Sequence, residues 1–108
     1  MNEIEICNLR SQKCFYAFDV RVDRASILGN PFFMKSESER DEVCDKYEAY
    51  FNRKFETDDA FRKEILRLVS IYKKYKRLRL FCWCYPKRCH SMYIKSKLED
   101  IIKNEGEN

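Results

Sequence analysis

The chain is short of the residues that interrupt regular structure. Two glycines and two prolines in 108 residues exclude a collagen-like or linker-rich polypeptide. No apolar run approaches the ~18 residues that a membrane-spanning helix needs. The opening residues, Met1-Asn2-Glu3-Ile4-Glu5, show no basic stretch followed by an apolar one, so no secretory signal is expected. Neither sign of charge dominates: 22 basic against 18 acidic residues leave a net charge of +4, too little to establish nucleic-acid binding.

What is present points to one folded domain. Hydrophobic residues make up 44% and aromatics 15% of the chain, which argues against global disorder. The length fits one domain with a modest core. The expectation is a single α/β domain over residues 1–103, with a frayed tail over 104–108. With no signal or membrane segment, the expected location is cytoplasmic, where thiols stay reduced. The six cysteines then do not read as a disulfide scaffold, and Cys7, Cys14 and Cys44 read as small apolar residues.

Periodicity places the elements. Ile4 and Ile6 alternate with Glu3 and Glu5, the pattern of a half-buried strand. Residues 10–14 form a polar turn. Residues 15–22 read as a second strand, with Phe18, Val20 and Val22 on one face; the short connection favours antiparallel pairing with the first. A loop follows from Asp23 to Phe33, with Gly29 able to take a positive φ and Pro31 holding Asn30 out of the helical region. Ser36 or Ser38 caps a helix that carries Val43, Tyr47, Tyr50 and Phe51 on one side. Thr57 or Asp58 starts another, whose stripe runs through Phe61, Ile65, Leu68, Tyr72 and Tyr75, widened by Leu66 and Val69. Leu78 to Cys84 reads as a central strand covered on both faces, and Trp83 and Tyr85 as packing aromatics upon it. Pro86 ends it. Cys89 or His90 opens a last helix that buries Ile94, Leu98, Ile101 and Ile102.

The order is therefore β-β-α-α-β-α, a small α/β sheet of about three strands with 78–84 at its centre. Two helices between the second and third strands make a long crossover, which permits a parallel, right-handed connection. Parallel strands would bring the Arg24–Phe32 loop and the Cys82–His90 segment to one carboxyl edge, the place where open, Rossmann-like sheets bind ligands.

Three chemistries compete at that edge. Cys89 at a helix start would feel the positive end of the helix dipole, with Lys87 and Arg88 nearby, as an activated nucleophile requires; His90, the only histidine, would be its acid or base. The alternative is a buried, structural cysteine. Cys82, Cys84, Cys89 and His90 also form a zinc-type ligand set, although one residue separates the first pair where structural zinc sites favour two. The leading expectation is a small anionic or nucleotide-like ligand held by the N-terminus of the last helix together with Arg24, Ser26, Lys87 and Arg88, with Gly29 and Asn30 shaping the loop. A helix that caps itself with Ser91 or water is the bland alternative. No cofactor is implied, and the oligomeric state is open. Lys73, Lys74, Lys76, Arg77 and Arg79 form a basic run that reads as a solvated helix end, with a nucleic-acid patch as the alternative.

Two segments together are distinctive. Arg24-Ala25-Ser26-Ile27-Leu28-Gly29-Asn30-Pro31-Phe32 followed by Leu80-Phe81-Cys82-Trp83-Cys84-Tyr85-Pro86-Lys87-Arg88-Cys89-His90 resembles the uncharacterised family domain of unknown function 4326. That pattern is an Arg-containing loop ending in Gly-Asn-Pro-Phe, a helix with Arg and Tyr, here matched by Arg40 and Tyr47, and a strand ending Cys-Trp-Cys-x-Pro-x-x-Cys-His. The resemblance runs roughly from Val20 to Leu98. It implies an α/β fold among small proteins of phages, prophages, bacteria and archaea, and transfers no reaction. Met92 stands where relatives often carry an acid. The Pro-x-x-Cys-His piece is also similar to domain of unknown function 488.

Overall fold

A computed structural model describes residues 3–106, so the last two residues of the expected 104–108 tail lie outside the described residues. The elements are β1 (Glu3–Asn8), β2 (Asp19–Arg21), α1 (Arg40–Thr57), α2 (Asp59–Tyr75), β3 (Arg77–Cys82) and α3 (His90–Gly106). The expected order holds. A 3-10 turn, Glu37–Glu39, leads into α1, and the Glu39 carboxylate accepts the Lys35 N–H at 2.8 Å. Asp58 alone separates α1 from α2. Its extended backbone breaks the helix, and its side chain accepts the Phe61 N–H as an N-cap. Lys76 ends α2 in the left-handed conformation, at φ 58°.

The sheet order is β1-β3-β2, with both neighbours parallel to β3. Ile4 pairs with Leu78 and Ile6 with Leu80 on one side, and Val20 pairs with Leu80 on the other. This corrects the expected antiparallel β1–β2 pair: the two edge strands do not touch, because β3 enters between them. It bears out the parallel crossover from β2 to β3. The second strand is also much shorter than the expected 15–22, since residues 15–18 and Val22 lie outside it. The central strand runs from 77 to 82 rather than 78 to 84, leaving Trp83 and Tyr85 beyond its end and 47% and 37% exposed.

One core fills the helical face. Ile4, Val20, Leu78 and Leu80 meet Tyr47 and Phe51 of α1, Phe61, Ile65 and Leu68 of α2, and Ile94 and Leu98 of α3. Each such side chain contributes about 1.5–3 kcal/mol on burial. Val69 joins them, whereas Leu66 and Tyr75 face outward. Ile101 and Ile102 are only partly buried, and α3 continues through Gly106, past the expected start of fraying.

The opposite face of the sheet is covered by something other than helix. Tyr16 and Phe18 lie against it through the arginines of β3. The Arg79 guanidinium lies between the Tyr16 and Phe81 rings at 5.4 and 5.1 Å, and Arg77 lies over Phe18 at 5.0 Å. Arg79 also pairs with the fully buried carboxylate of Asp19 at 2.7 Å. Burial pushes the Asp19 carboxyl up, but the Arg79 bond and the Phe15 and Tyr16 N–H groups outweigh it and hold it below the ordinary range. Much of the basic run 73–79 is thus built into the fold: Arg77 bonds Glu5, and Lys73 pairs with Glu105.

Candidate functional site

The carboxyl ends of all three strands converge on one edge. From β1, the Asn8 amide donates to the Tyr85 carbonyl at 2.7 Å and the Trp83 carbonyl at 3.3 Å, fixing the chain just past β3. From β2, Val22 is fully buried and Asp23 nearly so. Burial pushes the Asp23 carboxyl up, but bonds from Arg21 and from the Trp83 indole N–H, the latter at 2.7 Å, outweigh it and keep it ionised. Asp23 therefore joins the two distinctive segments directly.

The Arg24–Phe32 loop is a self-bonded turn. Ser26 Oγ accepts the Leu28 N–H at 3.0 Å, and Asn30 Oδ1 accepts the Phe32 N–H at 2.9 Å. Gly29 is required for a different reason from the one expected. Its φ is not positive; instead, a Cβ there would lie 2.5 Å from the Asp23 carbonyl oxygen and 2.7 Å from the Arg24 Cα. The loop crosses its own backbone too closely for any side chain. Arg24 donates to the Phe32 carbonyl at 3.1 Å and lies 3.9 Å over the Phe33 ring.

α1 ties the loop to the second segment. The buried Tyr47 hydroxyl donates to the Leu28 carbonyl at 2.7 Å, while its ring meets that of His90 edge-on at 5.1 Å. His90 Nε2 bonds the Val22 carbonyl at 2.5 Å. A carbonyl only accepts, so Nε2 carries the hydrogen. Burial lowers the His90 pKa, and the ring is neutral at pH 7. Arg40 reaches across from the first turn of α1, donating to the Arg88 carbonyl at 2.9 Å and to Glu37 through Nε and Nη2 at 2.8 Å each.

Between these elements lies a cavity of about 360 Å³, within the range of small-ligand sites. Arg24, Asn30, Cys89 and His90 line it, as do Asp23, Phe32, Met34, Arg40, Val43, Cys44, Trp83, Cys84 and Arg88. Ser26 and Gly29 face a second hollow of about 300 Å³ on the far side of the loop, which shares Arg24 and Asn30 with the first. Lys87 is exposed and pairs with Glu37 at 3.2 Å, outside both. The Arg88 guanidinium turns from the cavity to three carboxylates, Asp41, Asp45 and Glu48, at 2.9–3.0 Å.

The sulfur chemistry is distributed differently from the sequence expectation. Cys82 Sγ and Cys89 Sγ are 3.5 Å apart in the buried interior, and Ser91 Oγ lies 3.4 Å from Cys82 and 2.6 Å from Cys89. Cys84 is half-buried at the cavity wall, which it shares with Cys89 and Arg40. The neighbouring Cys89 thiol draws Cys84 down to about 6, with Arg40 adding to it against the opposing effect of burial. Bonds from Cys89, Ser91 and the Tyr85 and Cys84 N–H groups similarly bring Cys82 to about 5. Cys89, expected to be the lowered thiol, is pushed up by its two sulfur acceptors and by burial, and keeps its proton. A helix start alone does not decide a thiol's charge when two neighbouring sulfurs compete for one hydrogen. Cys7 and Cys44 are buried as expected, but Cys14 is exposed. Among the described residues, no group of three or more His, Cys, Asp or Glu side chains is arranged to hold a metal ion.

Asp23 and Arg40 carry much of this geometry and were not among the expected site residues. Asp23 is signalled by its position just after a strand, and Arg40 by its place in the family pattern and in the first turn of the helix after the loop. Together these features define a small α/β domain with three parallel strands, three helices and a cavity at the carboxyl edge. The chain belongs to the family Domain of unknown function (DUF4326), whose model matches residues 7–100. Neither the curated proteins nor the solved structures searched gave a match. No helix among the described residues is long and apolar enough to cross a membrane.

Proposed function

We propose that this domain binds a small anionic, nucleotide-like ligand in the 360 Å³ cavity at the carboxyl edge of its sheet. One observation carries the reading. Arg24 borders both hollows of the loop, and among the described residues no carboxylate lies within ion-pair distance of it. Arg40 and Arg88, by contrast, already face carboxylates. Arg24 keeps N–H donors beyond its single bond to Phe32, and a planar guanidinium suits a phosphate or carboxylate. Phe32, Met34 and the exposed face of Trp83 offer apolar surface for a base or similar ring, and Asn30 offers an amide for its edge.

The test is thermal denaturation across a panel of nucleotides and simple organic phosphates. A ligand present at a hundred times its dissociation constant stabilises by about 2.7 kcal/mol, a rise on the order of 10 °C for a domain this small. The rise should vanish in Arg24→Ala. No rise with any member of the panel, or a rise that Arg24→Ala leaves intact, sinks the proposal.

A further inference from the structure

Ligand binding leaves Cys84 and Cys89 at the cavity wall, and Cys82 in contact with Cys89, without a role. They form a relay from outside to inside. Cys84 is half-buried and borders the cavity; Cys89 borders it too but lies deeper, at 5% exposure; Cys82, fully buried, touches Cys89 at 3.5 Å. Packing alone does not explain the arrangement, because the hydroxyl of fully buried Ser91 is spent on two of these sulfurs. Elsewhere the cysteines differ: Cys14 is exposed, and Cys7 and Cys44 are buried, with Cys44 hydrogen-bonded to the Arg88 carbonyl at 3.7 Å.

From this geometry we propose that Cys84 and Cys89 form a peroxide-sensitive dithiol, in which Cys84 meets a hydroperoxide at the cavity wall and Cys89 supplies the second sulfur from behind. In the first step the Cys84 thiolate attacks one peroxide oxygen. The O–O bond breaks, the sulfur loses two electrons to become a sulfenic acid, and hydroxide, or alkoxide from an organic hydroperoxide, leaves. In the second step the Cys89 sulfur attacks the Cys84 sulfur. The S–O bond breaks, the hydroxyl departs with the Cys89 proton as water, and a Cys84–Cys89 disulfide remains. The Cys82 thiolate, already in contact with Cys89, can then attack its sulfur and release Cys84 as thiolate, moving the disulfide to Cys82–Cys89. The charge states suit these roles: Cys84 is drawn down to about 6 and is ionised at neutral pH, whereas Cys89 retains the proton that the second step consumes. Arg40 beside Cys84 favours its thiolate.

This chemistry needs no bound anion, so its failure and that of the ligand reading are separable. The experiment uses the Cys14→Ser chain, which removes the exposed competitor, treated with one equivalent of hydrogen peroxide at neutral pH and read by intact mass and peptide mapping. The expected product has lost two hydrogens and carries a disulfide from Cys89 to Cys84 or Cys82. Cys84→Ser should be unchanged at that dose. Cys89→Ser should instead stall at a sulfenic acid on Cys84 that dimedone captures. If either variant fails to fold, mapping of the parent chain decides alone. An unoxidised parent, a disulfide using Cys7 or Cys44, equal oxidation of Cys84→Ser, or about one zinc ion per purified chain would each overturn the proposal.

Discussion

The two ends of β3 carry the same residue type in opposite circumstances. At its amino end, Arg77 and Arg79 lie over aromatic rings, and Arg79 closes on a carboxylate with no solvent exposure. At its carboxyl edge, Arg24 meets one carbonyl and one ring, and its charge is left to the cavity. The sequence run at 73–79 is the denser basic cluster, yet its arginines are structural. The difference teaches that a cation's availability depends on its counter-charge rather than on the local count of basic residues. A buried pair that is complete is quiet, and an unpaired guanidinium at a hollow is not.

The comparison is most severely tested at Arg79. Arg79→Ala would leave the buried Asp19 carboxylate without its partner, at a cost of about 3–5 kcal/mol. Urea denaturation should show the midpoint collapse; a loss below about 1 kcal/mol, the range of exposed pairs, would place this arginine with the surface ones.

The two ends should also differ in how they respond to acid. The folded state keeps His90 neutral below its ordinary pKa of 6.5, so as the pH falls beneath 6.5 the unfolded chain takes up a proton that the folded chain refuses, and stability drops. Asp19 works in another window. Its folded pKa lies below 3.8, so its contribution is present above 3.8 and is lost only as the pH falls through the lower folded value. Asp23 shares that lower window. Stability measured from pH 7.5 to 5 should therefore decline in the parent chain and decline less steeply in His90→Gln, where the lowered thiols Cys84 and Cys82 leave a remaining slope. An identical slope in both would assign the acid response elsewhere.

The smallest effect on stability belongs to Arg24. Arg24→Ala removes one partly exposed bond and one cation–π contact, together no more than about 1 kcal/mol. A variant that melts almost like the parent while losing its ligand response would sharpen the contrast with Arg79; one that unfolds would erase it.

The legible parts of this fold were those set by the chain's own period or by a long connection. The stripe Phe61, Ile65, Leu68 marked α2, and the two-helix crossover announced that β2 and β3 run parallel. The pairing of β1 was not legible, because the residues that separate it from β2 arrive some seventy positions later in β3. Residues 15–18 alternate like a strand, but their aromatics serve as a cover for the second face of the sheet. At the site, the meeting of the two segments followed from topology alone. The division of charge among Cys82, Cys84 and Cys89 did not, since it depends on which sulfur faces which hydrogen.

Gly29 leaves a mark of another kind. Every other residue type begins with the atom that its crossing backbone excludes, so no single substitution leads away from it without moving Asp23 and Arg24. Constancy at this position among related chains would then report steric confinement and nothing about ligand or reaction. The informative variation would lie at Arg24, whose side chain makes a single hydrogen bond to the loop.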